Sequence, residues 1–91
     1  MKSDTVLPQR REKNLVVQEL PEQMLVYDER EHKAHYLNHT TALVWKHCDG
    51  QARVKEVADS IHLILGKPVG IRTVKHAVAQ LESFGLLEIA I

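Results

Sequence analysis

Six histidines stand in 91 residues, and three of them crowd one stretch. His32 and His35 are three apart, and His39 follows four later. Cys48 lies nine residues further on, beside His47. Imidazole nitrogens and a thiolate are zinc ligands, and a zinc site needs three or four of them converging at about 2.0–2.3 Å. His35 falls near the end of a strand-like run and His39 in the first turn of a helix, so nothing in the spacing forces them together. No Cys-x-x-Cys or His-Glu-x-x-His pattern is present, and the spacing argues against a metal. Cys48 falls in register with Ala42 and Trp45, which suits a small buried core residue better than a nucleophile. Asp28 and Glu31 are the nearest thing to a carboxylate pair, and they sit in a charged turn that reads as a solubility feature. The glycines at 50, 66, 70 and 85 all fall at helix ends, so none belongs to a phosphate-cradling loop. A chain of this size has one modest core and little room to bury and tune an acid–base pair. We therefore expect no catalytic residues, no cofactor, no metal and no enzyme activity of its own.

The elements that position these residues follow from pattern. Residues 1–13 are polar, with Pro8 and the run Arg10-Arg11-Glu12-Lys13, and we expect a flexible N-terminal tail before a domain over 14–91. Asn14–Leu20, Met24–Tyr27 and Lys33–Leu37 are short runs rich in strand formers, joined by Pro21-Glu22-Gln23 and by a charged turn, and they predict an antiparallel meander. Three strands need a covering layer, and the remainder is helical. Asn38 is a good N-cap for a helix from His39 to about Asp49, closed by Gly50. Val54, Val57, Ala58, Ile61, Ile64 and Leu65 mark a second helix, although Ala52 and Arg53 are poor start signals. Ile71, Val74, Val78, Leu81 and Phe84 mark a third, with Gly85 at C′ and Leu86 set to pack back on Leu81. Leu87–Ile91 reads as a short final strand or a docked tail. The fold class is α+β, a three-stranded antiparallel sheet followed by three helices, of which the last two look like a helix-turn-helix.

Composition narrows the partners. Lys plus Arg and Asp plus Glu number 12 each, for a net charge of zero. No apolar run approaches the roughly 18 residues of a membrane span, no secretory signal opens the chain, and a lone cysteine excludes an internal disulfide. A cytoplasmic location and no membrane partner follow. A helix-turn-helix invites a DNA reading, with Arg72, Lys75, His76 and Gln80 directed outward. From residue 51 onward, however, five cations face four anions, too small a surplus for the phosphate neutralisation that drives such binding. The other reading is strand addition. The third strand is the last of the meander, and an extended peptide can pair with a free edge. Lys33 and the nearby Glu29, Arg30 and Glu31 also suit an edge guarded against aggregation. On the residues alone the two readings of that edge stand level.

The order of features resembles a known family. Leu25-Val26-Tyr27-Asp28, His35-Tyr36-Leu37-Asn38, Ala42 to Trp45, Asp49-Gly50 and Val54-Lys55-Glu56-Val57-Ala58 are similar to the PqqD-like family, over residues 14–65 well and the third helix loosely. The resemblance implies a small winged helix-turn-helix fold called a RiPP recognition element, which binds the leader of a ribosomally made precursor peptide and presents it to a modifying enzyme, often a radical SAM enzyme. It implies that the leader lies as an extra strand against the third strand, in a groove shared with the third helix. Carried onto this chain, it points to Lys33, Ala34, His35, Tyr36 and Leu37, and on the helix to Ile71, Lys75, Val78 and Glu82. Members that serve pyrroloquinoline quinone synthesis carry a Phe-Pro-Gly element and a Trp near the C-terminus. Gly66-Lys67-Pro68-Val69-Gly70 and Phe84-Gly85-Leu86-Leu87 stand here instead, so the pathway stays open.

Overall fold

The computed structural model describes residues 5–88. Its elements run β1 (Leu15–Leu20), β2 (Gln23–Asp28), β3 (Lys33–Asn38), α1 (His39–Lys46), α2 (Val54–Leu65) and α3 (Ile71–Ser83), the expected order. The strands form one antiparallel sheet in the order β1-β2-β3, with Val17 opposite Val26 and Val26 opposite His35. Met24, Val26 and Leu37 alternate onto the covered face and are buried. α1 packs on β2 and β3, and α3 packs against both other helices. Trp45 anchors this layer, because its indole N–H donates to the Leu86 carbonyl at 2.9 Å from a buried position.

Local chemistry explains most boundaries. The Asn38 side chain accepts from the Thr41 N–H at 2.8 Å, satisfying one of the orphan donors of α1. α1 stops at Lys46, earlier than the Asp49 expected. Its end is closed by Cys48 N–H to the Trp45 carbonyl, and Asp49 instead accepts from the N–H groups of Gln51 and Ala52 at 2.9 Å each. Those bonds hold the Asp49 carboxyl below the usual range. The weakly signalled start of α2 is held by Glu56, whose carboxylate accepts from the Arg53 N–H at 2.9 Å. α3 ends as the sequence suggests: Gly85 takes a φ of +73°, and Leu86 N–H reaches the Leu81 carbonyl at 3.0 Å.

Two expectations need correction. Residues 1–4 of the expected tail lie outside the described residues, but residues 5–11 are laced onto the body. Leu7 is buried, and its N–H donates to Ala52 at 2.8 Å. Arg10 and Arg11 donate their N–H groups to Cys48 and Leu86, and Glu88 donates back to Gln9. The final segment therefore docks beside the N-terminal one as far as Glu88, and residues 89–91 lie outside the described residues. The polar composition concealed this because the contacts are main-chain bonds, which composition does not encode.

The second correction is Asp28. It belongs to the core and not to a solvated turn, with no exposed surface. Its carboxylate pairs with the Arg11 guanidinium at 2.8 and 3.3 Å and accepts from the N–H groups of Arg30 and Glu31. Arg11 beside it, helped by those N–H groups and opposed by burial, lowers the carboxyl to about 2 from an ordinary 3.8. A carboxyl depressed in the folded state stabilises the fold above its unfolded value, and that contribution fades as pH falls from about 4 towards 2. We expect Asp28→Asn to cost about 3 kcal/mol at pH 7, read by urea denaturation. The gap to the parent should shrink at pH 3 and below, and an equal gap at both pH values would refute the assignment.

A candidate peptide-binding edge

The backbone of the sheet decides which groups face outward. Glu29 N–H donates to the Asn14 carbonyl at 2.9 Å, one step beyond the pair Leu15–Asp28. In an antiparallel ladder bonded and non-bonded pairs alternate, and each residue aims its N–H and C=O the same way. Tyr27, Leu25 and Gln23 therefore bond to β1, whereas Asp28, Val26 and Met24 bond to Lys33, His35 and Leu37. Ala34 and Tyr36 are left with both main-chain groups directed away from β2. Among the described residues no strand pairs with that side of β3. Asn38 aims the same way, and its side chain is committed to the α1 cap.

β1 is the other edge, and among the described residues no strand pairs with its outer side either. Leu15, Val17 and Glu19 border a cavity of about 460 Å³ with Arg10, Arg11 and Glu12. A 2.7 Å ion pair between Lys46 and Glu19 ties that strand to α1. No residue of β3 borders that cavity, and Lys33, Ala34 and Tyr36 are exposed, Tyr36 to 66%.

The side chains of β3 divide between two faces. Leu37 is buried, His35 is half-buried and Lys33 is exposed on the inner side, while Ala34 and Tyr36 lie on the open outer side. The His35 ring stacks on Phe84 with centroids 4.6 Å apart and planes 22° from parallel. Phe84 caps the C-terminus of α3, so this stack is where the helix meets the strand. Helical spacing puts Gln80, Ala77 and Thr73 on the same flank as Phe84. Ala77 is buried, and Gln80 and Thr73 are exposed.

The helix residues expected to share the groove lie elsewhere. Lys75, Val78 and Glu82 line a cavity of about 750 Å³ with residues 5–9, Val54, Leu87 and Glu88, and no residue of β3 borders it. Ile71 is half-buried in the first turn and packs on the core. The structure thus brings Lys33 to Leu37 together along one edge and sets Lys75, Val78 and Glu82 on the opposite flank of α3. Phe84, which the sequence reading left out of the groove, is the residue at the end of α3 that stacks on β3. It stood in the apolar stripe, but the stripe alone does not say which flank meets the sheet.

The other chemistry-bearing residues are placed plainly. His32 sits in the β2–β3 turn at a φ of +56°, His35 is in the stack, and His39 opens α1. Among the described residues no three His, Cys, Asp or Glu side chains are close enough to hold a metal ion. Cys48 is fully buried and donates its S–H to the Val44 carbonyl at 3.2 Å. Burial pushes its thiol up to about 11, so it stays protonated at neutral pH. Among the described residues no helix is long and apolar enough to cross a membrane.

The edge geometry has a direct check in amide hydrogen exchange. Lys33, His35 and Leu37 should exchange about a hundredfold more slowly than Ala34 and Tyr36, because only the former are paired within the sheet. Equal protection along β3 would contradict the register.

No protein-family model matches the chain, and no curated protein matches it in sequence. Among solved structures, the fold is similar to "TbiB1 in Complex with the TbiA(beta) Leader Peptide". The TM-score is 0.68 at 16% identity, and the alignment covers 91% of this chain and 99% of that one.

Proposed function

We propose that this chain is a non-catalytic peptide-binding module. It takes the leader of a ribosomally synthesised precursor peptide as a fourth strand on β3 and presents it to a modifying enzyme. The observation that carries the reading is the outward-facing main chain of Ala34 and Tyr36, on a fold shared with a protein solved with a leader peptide bound. The PqqD-like pattern of the sequence points the same way and suggests a radical SAM enzyme as the partner.

Energetics define what else the site must supply. Ala34 and Tyr36 offer four main-chain bonds, worth about 0.5–1.5 kcal/mol each after exchange with water. Micromolar affinity needs about 8 kcal/mol. Side chains of the leader must therefore bury apolar surface as well, and the space between β3 and the Phe84 flank of α3 is where they do so. Lys33, Ala34, His35, Tyr36 and Leu37 form the strand side of this site, and Phe84 and Gln80 form the helix side.

The test is a titration of isotope-labelled protein with the leader peptide encoded beside its gene. Resonances of residues 33–37, Gln80 and Phe84 should shift, while those of β1 and of Lys75, Val78 and Glu82 stay nearly still. An Ala34→Pro variant loses one outward donor and keeps its side of the β2 ladder, so it should bind about tenfold more weakly. Silence across β3 at high micromolar peptide would sink the proposal for that leader.

A further inference from the structure

If β3 accepts a strand, its pleat also fixes which side chains of that strand are read. Directly opposed residues in a sheet place their side chains on the same face. Peptide residues bonded to Ala34 and Tyr36 therefore show their side chains on the open outer face. The residues opposite Lys33, His35 and Leu37 point inward, at non-bonded positions, where opposed side chains approach most closely. Specificity is concentrated in those three alternate positions.

The chemistry of each position is set by its neighbour on β3. Leu37 is buried among Met24, Val26 and the α1 layer, so the residue opposite it meets an apolar wall. His35 is stacked on Phe84, and the residue opposite it lies against a flat aromatic floor. Lys33 is the charged member. Its register partner on β2 is Asp28, but Arg11 and two main-chain N–H groups already occupy that carboxylate. Among the described residues Lys33 makes no ion pair. A lysine opposite a saturated carboxylate is left available to an incoming anion. The exposed Glu29 and Glu31 of the adjoining turn would attract a basic residue, but they lie outside β3 beside Arg30, and Lys33 is the charged side chain directly opposite the added strand.

We infer that the recognised peptide carries an acidic side chain opposite Lys33 and an apolar one four residues away opposite Leu37. This inference rests on strand addition at β3 and adds the class of peptide. An acidic-to-basic exchange at the Lys33 position should weaken binding about fivefold, the scale of a cross-strand charge pair reversed to repulsion. The order of the two positions reports strand direction: apolar before acidic means antiparallel addition.

The probe is a random decapeptide library displayed on phage. It is selected against the full chain, against Lys33→Glu, and against Ala34→Pro as a control with a weakened strand edge. The parent should enrich Asp or Glu at one position and an aliphatic or aromatic residue four away. Lys33→Glu should enrich Lys or Arg at the acidic position and leave the apolar one unchanged. The inference is overturned if the parent selects no acidic position, or if Lys33→Glu selects the same motif as the parent. In either case, binding that Ala34→Pro weakens about tenfold would leave strand addition standing. Failure of the parent to enrich any peptide beyond Ala34→Pro would remove strand addition itself.

Discussion

The pairing of Arg11 with Asp28 holds together three parts of the chain that nothing local connects. The Arg11 guanidinium reaches the Asp28 carboxylate, the Gly85 carbonyl at 2.9 Å and the Lys13 carbonyl at 3.2 Å, and the Arg11 N–H bonds to Leu86. The N-terminal segment, the end of β2 and the end of α3 thus share one side chain. Asp28 stands opposite Lys33 in the sheet, and Gly85 directly follows Phe84. The same interaction therefore fixes where β3 begins and where Phe84 meets His35. A fully buried carboxylate is costly unless every lone pair is engaged. Here two N–H groups of the adjoining turn complete the set, so the turn that launches β3 belongs to the same network.

This arrangement gives α3 two unlike flanks. One meets β3 through the Phe84–His35 stack and leaves open space beside an unpaired strand edge. The other looks onto the N-terminal segment, across a cavity bordered by Lys75, Val78 and Glu82. The sheet also has two unlike edges. β1 borders a cavity with Arg10 to Glu12 and is tied to α1 through Lys46, and β3 presents the main chain of Ala34 and Tyr36 beside the Phe84 stack. An edge of this kind invites uncontrolled pairing unless it is guarded. Its brevity and its charged approach, Glu29 to Lys33, limit that hazard without blocking a short peptide held by side chains as well.

The sequence revealed what local chemistry specifies. Short runs rich in strand formers located all three strands, Asn38 marked the start of α1, and Gly85 with Leu86 marked the end of α3. The residues of the free edge were legible for the same reason, since the last strand of a meander has only one neighbour. Interactions between distant residues were not legible. Arg11 and Asp28 are 17 residues apart, and each alone looks like a solvated charge. Leu7 is a single apolar residue in a polar stretch, and its burial follows from main-chain pairing with the segment before α2. The rotation of α3 was open for a related reason. Val78 and Phe84 lie on opposite sides of the buried stripe of Val74, Ala77 and Leu81, and only the docked sheet distinguishes their flanks.

The central claim is that a peptide joins this fold through the outward main chain of β3. It is tested most directly by amide exchange on the complex with the encoded leader peptide. The account predicts new protection at Ala34 and Tyr36, with little change at Lys33, His35 and Leu37, which are already paired. Protection that appears instead along β1, or none at Ala34 and Tyr36 in a saturated complex, would contradict it.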